Sequence, residues 1–396
     1  MQSASDLSRP QHPLPEGVPV TPAGQEPDAD PSLAVRNNGG VVPSGEPAPA
    51  GRREALLVLG FGGPEGHDDV MPFLLNVTRG RGIPPERLAA VAEHYHHFDG
   101  VSPINEQNKA LVSALEAELA AAGIDMGVYW GNRNWAPYVE DVWRQMADDG
   151  VQHAYVLATS AYASFSGCRQ YHEDVARARV ALGSDPSGPA GPTAEKLPHY
   201  FDAPGFVQAN ADALAAAIAS LPEQLRDGAR LVATAHSIPD AMAAVAGPQG
   251  GAYEAELVTA ARAVVDAAAP GRSFDLVWQS RSGPPSVPWL EPDVNDHLRA
   301  LAGSGEQAVV VFPVGFISDH LEVVWDLDNE AEETAGELGL AFARAATAGT
   351  HPAFVTSLRE LLEERRAGGE PRLGTNCPAS CCFVTRPSAR PAAAAT

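Results

Sequence analysis

The chain has 396 residues and a formal net charge of −23, a charge that argues against nucleic acid as a partner and against strong attraction to an anionic membrane, whose phosphates would be repelled. No apolar run reaches the length of a membrane span, and the N-terminal residues lack the charged-then-apolar pattern of a secretory signal, so a cytoplasmic, reducing setting is expected. The length accommodates about two domains with a substantial core.

Residues 1–50 are rich in Pro, Gly, Ser and acidic residues without apolar periodicity and read as a disordered leader. From residue 53 to about 366, short β-branched runs alternate with longer helical segments, the pattern of α/β architecture with parallel sheets. Strands are expected at 55–61, 126–131 and 153–159 in the first half and at 230–235, 274–279 and 308–314 in the second. Helices are expected between them at 108–122, 139–148, 205–220, 252–268 and 293–302. The grouping is a first domain at 51–203, a second at 204–344, a C-terminal helix at 345–366 packing back, and a cysteine-bearing tail at 367–396 that frays from 388. Ligands of open α/β sheets sit beyond the carboxyl ends of the strands. That rule singles out the turns Phe61-Gly62-Gly63-Pro64, Ala235-His236-Ser237, 279–283 and 315–320.

Two of these turns carry the sharpest chemistry. His236 closes the run Leu231-Val232-Ala233-Thr234-Ala235, where an imidazole at a cleft mouth can bind a divalent metal or accept a proton near neutral pH. Taken alone, its plainer reading is a hydrogen-bonded structural histidine. Further on, Glu322, Asp326 and Glu330 recur every four residues, so a helix there lines them on one face with Asp319 one turn ahead. Carboxylate oxygens are exchangeable ligands and proton acceptors, so such a stripe can conduct a hard divalent cation inward or protons outward. Its plainer reading is a solvated face of a very acidic protein.

The cysteines are Cys168 and, far downstream, Cys377, Cys381 and Cys382. Adjacent cysteines do not bridge each other without strain, and a chain this long does not need disulfides. Four thiolates suit Zn²⁺ or a [2Fe–2S] cluster. The two CxxC pairs usual for zinc are absent, and the spacing leaves zinc, cluster and free thiols all open.

In combination, several stretches resemble the ferrochelatases, in particular the coproporphyrin ferrochelatases of actinobacterial type. They are 56–64, Gly100-Val101-Ser102-Pro103-Ile104, Thr234-Ala235-His236-Ser237-Ile238-Pro239, Trp278-Gln279-Ser280 with Trp289-Leu290-Glu291-Pro292-Asp293-Val294, and 313–322. They keep the family's order and approximate spacing over about residues 55–366.

The resemblance implies a chelatase fold of two Rossmann-like domains, each with a parallel sheet flanked by helices, facing each other across a porphyrin cleft. No nucleotide is implied, in keeping with a first turn that does not complete GxGxxG. It also implies that His236 and Glu322 handle incoming Fe²⁺, a substrate, and the departing pyrrole protons, with Asp326 and Glu330 as an acidic trail behind them. Ser102 and Tyr171 match positions that contact the propionates of the macrocycle. Phe61 matches the opposite face, where some relatives place a tyrosine that ligates product iron; that hydroxyl is missing here. His94 stands where some relatives have an arginine.

By the same resemblance Cys168, Cys377, Cys381 and Cys382 reproduce the layout of a [2Fe–2S] cluster. The expected reaction is Fe²⁺ insertion into coproporphyrin III in heme biosynthesis by a monomer, with a coproheme decarboxylase as downstream partner. Protoporphyrin IX is the alternative substrate. A cobalt or nickel chelatase and a non-catalytic tetrapyrrole or iron carrier are the rival readings.

Overall fold

Two four-stranded parallel sheets of matching strand order organise the computed structural model, in which residues 53–80, 82–183, 191–283, 286–370, 372–375, 377–378 and 381–382 are described. The expected leader and the end of the tail lie outside the described residues. The first sheet holds β1 (Glu54–Gly60), β2 (Gly127–Asn132), β3 (His153–Ala158) and β4 (Thr193–Lys196) in the order β2-β1-β3-β4. In the second, β5 (Arg230–His236), β6 (Phe274–Gln279), β7 (Ala308–Phe312) and β8 (Ala341–Arg344) follow the order β6-β5-β7-β8. The expected α/β class, with parallel sheets flanked by helices, is the one found.

The central strands are apolar throughout because helices cover both faces of each sheet. Leu57, Val58 and Leu59 of β1 and Val309, Val310 and Val311 of β7 are fully buried, each such side chain contributing about 1.5–3 kcal/mol relative to exposure. β4 and β8 escape sequence reading. Each has four residues and ends on a charge, Lys196 or Arg344, and each is an edge strand paired on one side only. The helices His67–Val77, Pro85–His97 and Gln170–Gly183 are likewise additions, and Ile104–Ala121 begins ahead of the expected 108.

The helix Pro352–Arg366 lies against Pro204–Ser220 and Ile104–Ala121. Gly205 permits this approach, since a Cβ there would stand 1.8 Å from the carbonyl oxygen of Ala353. From this helix Arg365 reaches Glu195 of β4 at 2.6 Å, with 1% and 3% of the side chains exposed, and Arg366 reaches Glu54 of β1 at 2.8 Å. This helix is thereby tied back onto the first sheet. Among the described residues no helix is long and apolar enough to cross a membrane.

Candidate active site

His236 is the last residue of β5, in register with Gln279 of β6. Its backbone is fixed on two sides: the Tyr253 hydroxyl donates to its carbonyl at 2.9 Å, and the next amide, of Ser237, donates to the Gln279 carbonyl at 2.8 Å. The turn after β7 is drawn tightly against the same strand. The Gly315 amide donates to the Thr234 carbonyl at 3.0 Å, and a Cβ on Gly315 would stand 2.5 Å from that of Ala235. This contact brings the segment that follows, with Glu322, round to the imidazole.

His236 Nδ1 meets the Ser237 carbonyl, which can only accept, so Nδ1 carries a hydrogen. Nε2 lies 3.5 Å from Glu322 Oε2, and the two side chains are 32% and 49% exposed, open enough for a ligand to reach both. Burial pulls the imidazole pKa down, but the bond and charge of Glu322, the Ser237 carbonyl and the charge of Asp326 outweigh it and hold it above the ordinary 6.5. Burial pushes Glu322 up, yet the bond to His236, its charge and that of His320 bring it down to about 2. Each partner thus favours the charged form of the other, at a separation looser than a good hydrogen bond.

Asp326 lies one turn along the helical segment 321–338, which widens to π-type turns over Val324–Ala331, a local irregularity frequent at functional sites. The Ser280 hydroxyl donates to its carboxylate, and Gln279 Nε2 stands 3.4 Å from it. Burial is the chief reason its pKa rises to about 7; Ser280 opposes that rise, while the charges of Glu322 and Glu330 add to it. Glu330, farther along, is exposed. Asp319 departs from expectation: the helical segment starts at Leu321 with His320 as its cap. Asp319 precedes it and is held by Arg344 at 3.1 Å. Burial pulls the His320 pKa down.

Leu321 is buried among Val70, Phe73, Leu74, Leu88, Ala92 and Tyr95 of the helices 67–77 and 85–97, and this contact places Glu322 near those helices. Tyr95 is 7% exposed, and burial together with the charge of Glu322 holds its hydroxyl well above the usual pKa. His94 stacks flat on Trp325, ring centroids 4.0 Å apart. Burial pulls its pKa down.

The remaining candidate residues belong to the first sheet and the segments around it. Phe61, just past β1, is 37% exposed. Ser102 and Tyr171 are each 4% exposed, so neither presents an open face. The Arg133 guanidinium lies 5.9 Å from the Phe61 ring and 4.9 Å from the Tyr171 ring, and is anchored by Asp174 at 2.5 Å. Sequence reading missed Arg133 and Tyr95. The signal for Arg133 is its place one residue beyond β2, at the carboxyl end of a strand.

The chain matches the Ferrochelatase family over residues 53–366. It belongs to the ferrochelatase family. Among curated relatives, the coproporphyrin III ferrochelatase of Nocardia farcinica is 56% identical over 357 residues, covering 86% of this chain and 99% of that protein. The protein of that name from Mycolicibacterium smegmatis is 58% identical over 319 residues, 81% of this chain and 92% of its own. The one from Streptomyces griseus is 51% identical over 370 residues, 88% and 97%.

This ferrochelatase-family chain also gathers its cysteines. Cys381 and Cys382 have sulfurs 3.7 Å apart, Cys377 shares a hydrogen bond with Cys381, and the charge of Cys168 is felt at Cys377 and Cys382. Burial pushes Cys168 up, but the charges of Lys196 and His199 and bonds from His172 and His199 hold it well below the ordinary thiol value. The Gly247 amide donates to Cys382 Sγ at 3.1 Å. Among the described residues no three His, Cys, Asp or Glu side chains are placed to hold one metal ion. That is the demand of a single ion, whereas a two-iron group spreads four thiolates over two metals.

Proposed function

We propose that the chain inserts Fe²⁺ into coproporphyrin III, giving coproheme and two protons, in heme biosynthesis. The observation that carries this reading is the His236–Glu322 pair at 3.5 Å, half-open to solvent at the carboxyl ends of the second sheet. The substrate follows from relatives named coproporphyrin III ferrochelatase at 51–58% identity.

The residues divide the chemistry by their affinities for protons. Glu322, at about 2, is a carboxylate at any physiological pH and suits a ferrous ion shedding its waters. His236 accepts a pyrrole proton at Nε2 in its neutral form, its Nδ1 hydrogen remaining bonded to the Ser237 carbonyl. Asp326, at about 7, is matched to receive such a proton near neutrality. Glu330, exposed behind it, passes it to water. Phe61 offers an apolar face with no hydroxyl to bind product iron. The reaction balances: two pyrrole protons leave as the ring nitrogens take the dication.

Cys168, Cys377, Cys381 and Cys382 would hold a [2Fe–2S] cluster, a reading supported by three buried thiols, two of them lowered toward thiolate. Such a group, when bound, is a one-electron centre. Thiols kept for metal suit a reducing cytoplasm, and a coproheme decarboxylase would take the product.

Anaerobic steady-state assays with Fe²⁺ and each porphyrin test the function. The expected result is a kcat/KM for coproporphyrin III at least about tenfold above that for protoporphyrin IX. Equal use of both would overturn the substrate, and no insertion into either would overturn the activity.

A further inference from the structure

The helix Ala252–Ala268 begins where three parts of the chain meet. Tyr253, its second residue, is 6% exposed. The hydroxyl donates to the His236 carbonyl at 2.9 Å, and the ring lies beside Trp278, centroids 5.9 Å apart. Trp278 in turn is in register with Ala235, the residue before His236. One turn along the helix, the buried Glu256 accepts the Ala163 amide at 2.6 Å, and His199 Nδ1 stands 3.2 Å from its other oxygen. Ala163 leads into the turn Phe165–Arg169 that carries Cys168.

The start of this helix is also held by the tail. Its N-cap is Gly251, which has no capping side chain, so other contacts must fix the first turn. The Ala252 amide donates to the Ala246 carbonyl at 2.9 Å. Gly247, with φ +78°, lets the loop close this tightly, since a Cβ there would stand 2.5 Å from that of Ala252. The Gly247 amide then donates to Cys382 Sγ at 3.1 Å. Upstream of Cys382 the tail is docked by the His199 amide, which donates to the Leu373 carbonyl at 2.9 Å. His172 Nε2 donates to the Gly374 carbonyl at 2.9 Å. Gly374 has φ +95°, and a Cβ on it would stand 2.5 Å from the His199 ring.

We propose that Tyr253 is a positioning residue for His236, and that the docked tail sets its place through the loop 246–251. The inference rests on the reading of His236 as proton acceptor above. A tyrosine hydroxyl has one hydrogen to give, and here the His236 carbonyl receives it. A shift of the helix start therefore moves the imidazole relative to Glu322, which it meets at only 3.5 Å. A misplacement of about 1 Å can cost about 10²-fold in rate.

The test uses the full chain purified anaerobically as wild type, Tyr253→Phe, Gly374→Ala and the double variant. Readouts are single-turnover Fe²⁺ insertion, coproporphyrin III affinity and amide hydrogen exchange over residues 246–256. Tyr253→Phe removes only the hydroxyl and should lower the insertion rate about tenfold, with affinity within about threefold of wild type. Gly374→Ala unseats the tail and should speed exchange over 246–256 at least about tenfold while slowing insertion at least about threefold. The double variant should match Tyr253→Phe within about twofold, because both changes act through one contact. Should Gly374→Ala not accumulate as folded protein, Cys382→Ala, which removes the sulfur facing Gly247, takes its place. Insertion by Tyr253→Phe within about twofold of an active wild type overturns the role of Tyr253. Unchanged exchange over 246–256 in the tail variant, or losses that multiply in the double variant, overturn the part given to the tail. A wild type that inserts no iron overturns instead the activity on which the inference rests.

Discussion

Asp326 links pH, stability and activity in one side chain. Its pKa, raised from 3.8 to about 7 chiefly by burial, means that the folded chain keeps a proton the unfolded chain has already released. Stability therefore falls as pH rises from about 4 to about 7. Asp326→Asn should raise Tm at pH 8 and leave it nearly unchanged at pH 4, which a pair of thermal melts checks; a fall at pH 8 would contradict the assignment. For activity the sign is opposite. Both His236, held above 6.5, and Asp326 must be free of protons to accept one, so kcat should rise with pH through neutrality. In Asp326→Asn the rise should shrink to the His236 step at a lower plateau, as read from a pH–rate profile. His236 and Glu322 were legible in the sequence because a strand end and a four-residue spacing mark them. The turn holding Ser280 was marked as well, but its bond to Asp326 and the place of Tyr95 were not, since they join positions far apart in the chain.

The helical segment 321–338 shows what periodicity can and cannot convey. Spacing by four implied a carboxylate stripe, but the late start at Leu321 and the wide turns over Val324–Ala331 depend on what holds the segment. Arg344 of β8 is that anchor, reaching Asp328 at 2.6 Å and Asp319 at 3.1 Å. β8 itself, four residues at a sheet edge, gave no sequence signal. The partners are 15–34% exposed, so removing the guanidinium should cost less than breaking a fully buried pair, on the order of 2 kcal/mol. Arg344→Leu is expected to lower Tm by a few degrees and kcat by about tenfold through displacement of Glu322. Unchanged kcat with lowered Tm would confine Arg344 to stability.

Two halves with parallel sheets were readable from alternating apolar runs, because buried parallel strands must be apolar throughout. Their shared strand order and the side chains that pin the C-terminal helix were not. The fold-back of Pro352–Arg366 depends on Arg365, a charged residue that the sequence offers as surface but that lies 1% exposed against Glu195. Arg365→Met leaves that carboxylate buried and unpaired, a loss of about 3–5 kcal/mol that differential scanning calorimetry should register as a large fall in Tm; a shift under about 2 °C would contradict the pairing. The contact of Leu321 with the helices 67–77 and 85–97 similarly joins distant segments to set the site.

All of this converges on proton-for-iron exchange at His236. The decisive measurement is single-turnover Fe²⁺ insertion into bound coproporphyrin III by wild type and His236→Ala under anaerobic conditions, with porphyrin affinity measured by fluorescence on the same samples. Affinity should stay within about threefold while the insertion rate falls about 10²–10⁴-fold. Insertion within about tenfold of wild type by a variant that binds porphyrin normally would contradict it.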